Sequence, residues 1–156
     1  NAVLEQDSSM LIDLNPVQSQ NPSCAKMGAI GYMLNGVALY NGLDAAGRDA
    51  AAHEVQDSCD GHPERTGEYH YHNNSACLAK DQGNNQLIGY ALDGFGIFSN
   101  KDENGNSLKN EDLDECHGRT SEIDWDGNKV VMYHYVMTIE YPYSIGCFRG
   151  APVATR

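Results

Sequence analysis

The run Tyr69-His70-Tyr71-His72 is the part of this chain best equipped for chemistry. On a β-strand, alternate side chains share a face, so His70 and His72 point one way with Cα atoms about 6.5–7 Å apart. That spacing lets two imidazoles reach one metal ion. Neutral imidazole suits zinc, copper, nickel or iron, whereas calcium and magnesium prefer oxygen. His62, in Asp60-Gly61-His62-Pro63, precedes the strand, and His134 sits in a second Tyr133-His134-Tyr135 run. The candidate ligands are therefore His70, His72, His62 and His134, with copper ahead of zinc. His53 and His117 are less well placed. The rival reading is a structural strand, its tyrosines packed inward and its histidines hydrogen-bonded to backbone or carboxylates.

Carboxylates extend this chemistry. Asp57, Asp60, Asp93 and Asp114 are candidates to orient an imidazole through its second nitrogen, or to serve as general bases. The simpler reading makes Asp93 a turn residue and Asp57 and Asp114 caps. Tyr71 is expected to pack beside the ion. Asp102-Glu103-Asn104-Gly105-Asn106 suggests calcium but fails the EF-hand pattern, with Ser107 where glycine is needed and Leu113 where glutamate is needed. A looser calcium loop reaching Asp112 or Asp114 is the weaker alternative to a solvated hairpin. No nucleophile elbow, phosphate-binding glycine loop or dinucleotide fingerprint is present.

The elements that must position these residues occur twice. Gly31-Tyr32-Met33-Leu34-Asn35-Gly36 matches Gly89-Tyr90-Ala91-Leu92-Asp93-Gly94; Asp57-Ser58-Cys59 matches Asp114-Glu115-Cys116; and Tyr69-His70-Tyr71 matches Tyr133-His134-Tyr135. Four elements recurring in order, each set closed by Cys77 or Cys147, imply two related halves, about 28–80 and 87–150, around a pseudo-twofold axis. Arg119 replaces His62 and Val136 replaces His72, so one site is expected, in the first half. The repeat suggests disulfides Cys59–Cys77 and Cys116–Cys147, one of three pairings open to four cysteines.

Asn35-Gly36, Asp93-Gly94 and Asp126-Gly127 mark hairpins. The last leads into the longest strand, about Lys129 to Glu140, which is apolar on both faces like a central strand. Helix signals are few: Asp44 could cap a helix through Arg48 and Val55, and a short turn is expected at Asn110 to Leu113. The fold class is mainly β, a sandwich or partly closed barrel with one or two short helices.

The chain has 156 residues, enough for one domain with a core. Residues 1–27 are polar and read as an arm, and 28–156 as a single domain. Acidic residues outnumber basic ones 22 to 10, giving a formal net charge of -12. That argues against a nucleic-acid partner. Five cysteines without a CxxC pair favour an oxidising compartment. Cys24 is the odd one, free or paired outside this chain. A start at Asn1 and no apolar run of spanning length suggest a removed leader or a fragment, and no membrane span. Asn73-Asn74-Ser75 is a glycosylation sequon.

The runs GRDAAAHEVQDSCDGHPERTGEYHYH, LIGYALDGFGIF, DLDECHG and YPYSIGCFRG closely resemble the YHYH-domain family over residues 28 to 150. The resemblance implies an exported, cell-surface or periplasmic protein of poorly defined role, with His62, His70 and His72 as motif positions. Val136 departs from relatives that carry histidine there. Together these features favour a non-catalytic extracellular domain binding copper or zinc. The alternatives are a metalloenzyme (copper oxidase or zinc hydrolase) and a metal-free structural or adhesive module with a surface or protein assembly partner.

Overall fold

A computed structural model describes residues 1–7, 9–79 and 83–154. Its centre is a pair of antiparallel strands, β2 (Ala29–Met33) and β6 (Leu87–Ala91), with Tyr32 opposite Tyr90. These two tyrosines are repeat equivalents, so the pseudo-twofold axis passes between them. The strands approach closely because Gly31 and Gly89 face the partner backbone. A Cβ at Gly31 would lie 2.7 Å from the Tyr90 carbonyl oxygen, and one at Gly89 would lie 2.8 Å from that of Tyr32.

Each half adds three strands outward in the same way. The first adds β3 (Ala38–Tyr40), β5 (Tyr69–Tyr71) and β4 (Gly61–Pro63). The second adds β7 (Gly96–Phe98), β9 (Asn128–Val136) and β8 (Gly118–Trp125). The sheet order is β4-β5-β3-β2-β6-β7-β9-β8. Leu39 pairs Tyr71 in parallel just as Ile97 pairs Tyr135, and Gly61 opposes Tyr71 just as Gly118 opposes Tyr135. The molecule is mainly β, and its sheet is open, with β4 and β8 at the edges, which fits the sandwich expectation. A separate two-stranded sheet joins β1 (Ser23–Cys24) to β10 (Cys147–Phe148).

The turns follow their residues. In the β2–β3 and β6–β7 hairpins only glycine takes a positive φ, at Gly36 (85°) and Gly94 (90°), and each donates its amide three residues back. This is a turn followed by one left-handed residue, for which glycine costs least. In the β8–β9 hairpin both Asp126 and Gly127 have positive φ, the tight two-residue form.

Ile30, Leu39, Ile97, Phe95, Tyr135, Met137 and Ile145 form the centre of the core. Disulfides Cys59–Cys77 and Cys116–Cys147 bracket β5 and β9, and Cys24 is free and exposed. Among the described residues no helix is long and apolar enough to cross a membrane. The N-terminal residues lie along the body: the Leu4 amide donates to the Gly67 carbonyl, the Trp125 indole to the Leu14 carbonyl, and Met10 packs on the core.

Three expectations change. The helix α1 is only Ala50–His53, capped by Asp49, whose side chain accepts from the Ala52 amide. Asp44 instead closes a turn, accepting from the Ala46 and Arg48 amides, because Gly47 at φ 76° breaks any helix there. A second short helix, α2 (Ala76–Ala79), follows β5, and a 3-10 turn spans Asn110–Asp112 as expected. The long strand β9 stops at Val136 and is penultimate, not central. Its first four residues are exposed because β7 meets only Tyr135 and Val136, leaving β8 as the sole neighbour of the rest.

Candidate metal centre

Four side chains from the first half converge on one point. His62 on edge strand β4 is the direct cross-strand partner of His70 on β5. His72 follows two residues later on the same face, and Glu54 leaves the C-terminus of α1. Their donor atoms all lie within 4.8 Å of one another. The Nε2 atoms of His62 and His70 are 2.9 Å apart, and those of His70 and His72 are 3.1 Å apart. Oε2 of Glu54 completes the set, 3.1 Å from His62 and 2.9 Å from His72.

The backbone fixes which nitrogen faces inward. Nδ1 of His62 lies 3.1 Å from the Val55 carbonyl, Nδ1 of His70 3.1 Å from that of Glu68, and Nδ1 of His72 2.6 Å from that of Asn41. Carbonyls only accept, so each Nδ1 carries the proton and each Nε2 of a neutral ring presents a lone pair. Burial pushes His70 down to about 4 and lowers His72 as well, holding both neutral. Glu54 Oε2 is buried and has no hydrogen-bond donor among the described residues. The neutral Nε2 atoms of His70 and His72 therefore meet Nε2 of His62 and the Glu54 carboxylate oxygen at one point.

The surroundings hold this arrangement. The Tyr40 ring stacks on His70, centroids 3.9 Å apart and planes 18° from parallel, while its hydroxyl donates to Glu68 Oε2 at 2.6 Å. Tyr69 points away from the imidazoles and donates to Asp57 at 2.8 Å. Gly61 makes room for that ring, since a Cβ there would meet the Tyr69 hydroxyl at 2.5 Å. Two clefts border the cluster: one of about 570 Å³ touches Glu54, His62 and Tyr69, and one of about 440 Å³ touches Tyr40, Glu54, His62, His70 and His72.

The remaining candidates lie elsewhere. His134 is fully buried in the other half, packed on Phe98, with Nδ1 toward the Met132 carbonyl and Nε2 without a partner among the described residues. It does not join the group, because β5 and β9 stand on opposite sides of the pseudo-twofold axis. None of the four aspartates expected behind the imidazoles touches one of the clustered rings, and Asp114 accepts from the Tyr133 hydroxyl. Asp57 binds Tyr69 and the Cys59 and Gly61 amides, and Asp60 accepts from the Ala76 amide. Asp93 is buried with the Tyr135 hydroxyl at 2.6 Å and the Gly150 amide at 2.9 Å. Backbone carbonyls orient the rings in their place. Tyr71 lies on the opposite face, in the core, with its hydroxyl near Asn35. Asp102 closes its own loop through Asn104 and Asn106, and His117 is held by Val136, Asn110 and Thr138. The sequon's Ser75 is buried and donates to the Cys59 carbonyl.

Sequence reasoning missed Glu54, which belongs to no strand and no spacing motif. The repeat held a faint signal, since Glu54 and Glu111 stand at the same distance before Asp57 and Asp114.

In comparison with known sequences, a family model described as YHYH protein matches residues 9–111. The chain belongs to the YHYH protein family. No curated protein and no solved structure matches it. Within this YHYH protein the two halves serve as each other's control. The equivalents of His62, His72, Tyr40 and Glu68 are Arg119, Val136, Phe98 and Met132. Arg119 pairs with Glu103 at 3.4 Å, so the second half places a cation where the first gathers lone pairs.

Proposed function

We propose that this YHYH protein is an exported metal-binding domain holding one transition-metal ion between Glu54, His62, His70 and His72. The carrying observation is the convergence of three imidazole Nε2 atoms and one carboxylate oxygen at 2.9–3.1 Å contacts. A neutral imidazole has one N–H, and here it is spent on a carbonyl. An extra proton on His70 or His72 would make an imidazolium ion, which burial opposes, so a metal cation is the natural occupant. Imidazole-rich ligation selects copper or zinc over calcium. The two disulfides support an oxidising location.

A second reading, a metalloenzyme, draws on the clefts beside the donors, since a catalytic ion needs an open approach.

Titration of the disulfide-intact, chelator-treated protein with copper or zinc tests the proposal. One equivalent is expected to bind. Free metal at a hundredfold excess over Kd is expected to add about 2.7 kcal/mol of stability, or about 5–10 °C in Tm for a domain this size. His70→Ala is expected to abolish both effects. Wild-type melting that ignores metal, or equal binding by His70→Ala, refutes the proposal.

A further inference from the structure

The four short contacts are not arranged like the edges of a compact tetrahedron. They close a ring, His62 to His70 to His72 to Glu54 and back to His62, so Glu54 stands opposite His70 and His62 opposite His72. Size matters as well as order. A tetrahedron with edges near 3.0 Å puts its centre about 1.8 Å from each donor, shorter than the roughly 2.0–2.1 Å of metal–imidazole bonds. A square of the same side puts its centre about 2.1 Å away, within the range such bonds need. Adjacent donors at right angles are a tetragonal pattern, which with nitrogen and oxygen ligands is the preference of copper(II) or nickel(II).

The donors are poorly placed to rearrange. His62 and His70 are locked as cross-strand partners, and His72 follows immediately after the end of β5. All three rings are pinned through Nδ1, and Tyr40 lies flat against His70. Four donors bound in a square would leave positions above and below its plane. Glu54 and His62, neighbours in the ring, keep 26% and 19% of their side-chain surface exposed and border both clefts.

Building on the metal-binding reading, we infer that the site is a tetragonal copper(II) centre with an exchangeable axial position open to the cleft, able to take a small anionic or neutral donor. It is a ligand-accepting centre, not a closed structural one. Its distinctive partners are Tyr40 and Glu68, which fix His70 from outside the ring and whose equivalents in the second half are Phe98 and Met132.

Electron paramagnetic resonance of the protein with one equivalent of copper(II), then with azide as the added donor, tests this. An axial spectrum with g∥ above g⊥, splitting from three nitrogens, and a shift on millimolar azide are expected. His62→Ala is expected to lose that spectrum, or to show one nitrogen fewer. A copper spectrum of tetrahedral type, or one indifferent to azide, overturns the inference and leaves the metal-binding proposal standing. Failure to bind any copper or zinc removes both.

Discussion

His134 gives the sharpest test of the physical account, because it is a buried histidine with no role in the proposed centre. Its imidazole is fully buried, and that burial, against the opposing Met132 carbonyl, lowers its pKa from 6.5 to about 4. In the unfolded chain the ring takes a proton near pH 6.5, so between 6.5 and 4 the unfolded state binds more protons and acid favours unfolding. The stability that neutral His134 supplies is thus whole above pH 6.5 and lost as pH falls toward 4. Linkage with these two values gives a loss of about 2 kcal/mol between pH 7 and pH 5, or about 4–8 °C in Tm. Urea unfolding of metal-free wild type and His134→Gln at both pH values is the assay. His70, His72 and the carboxylates titrate in both proteins and cancel in the difference. Wild type is expected to be the more stable at pH 7, with the gap narrowing by about 2 kcal/mol at pH 5. A gap unchanged with pH would show that His134 is not held neutral by burial, and the same reasoning would then fail for His70 and His72.

Two further outcomes follow from the frame of the repeat. Gly118→Ala places a methyl group against the Tyr133 hydroxyl, which Asp114 holds at 3.0 Å. Forcing that ring aside is expected to cost about 2–3 kcal/mol in chemical denaturation, and a loss under about 0.5 kcal/mol would mean the ring has free space. Asp93 is raised by burial despite its bonds to Tyr135 and Gly150, so its stability contribution falls as pH rises through the carboxylate range. Asp93→Asn keeps an acceptor for both donors without the charge. Measured by denaturation from pH 4 to 7, the variant is expected to gain on wild type as pH rises, and a steady decline relative to wild type would contradict the assignment.

The frame was legible because repetition samples each structural rule twice. Asn35-Gly36 and Asp93-Gly94 announced hairpins, and matched cysteines announced the pairs Cys59–Cys77 and Cys116–Cys147. Alternation placed His70 and His72 on one face, and the register then set His62 across from His70. What was illegible depends on tertiary geometry. Glu54 reaches the cluster only because α1 ends early and the chain turns extended there, at ψ 144°. His134 looked equivalent to His70 in sequence, yet the pseudo-twofold axis that makes it equivalent also carries it away from the first half. Aspartates near a histidine motif suggested partners for imidazole, but the nearest acceptors were carbonyls of Val55, Glu68 and Asn41, whose positions no residue type reveals.

The duplication also separates what builds the fold from what builds the site. Both halves carry the tyrosine bound to aspartate, Tyr69 with Asp57 and Tyr133 with Asp114, and both carry the glycine beneath that ring. Both carry a disulfide beside the same strand and the same parallel register of Leu39 with Tyr71 and Ile97 with Tyr135. Features present twice in equivalent geometry are sufficient to form one half of the sheet, whatever that half does. The donors His62 and His72 and the supports Tyr40 and Glu68 occur once, and all four lie at one place. If the histidines merely packed, nothing would require these four differences to gather around one point. Their clustering places the Tyr40–Glu68 pair with the imidazoles, and makes the first half the member of the symmetric scaffold to which the metal-binding proposal applies.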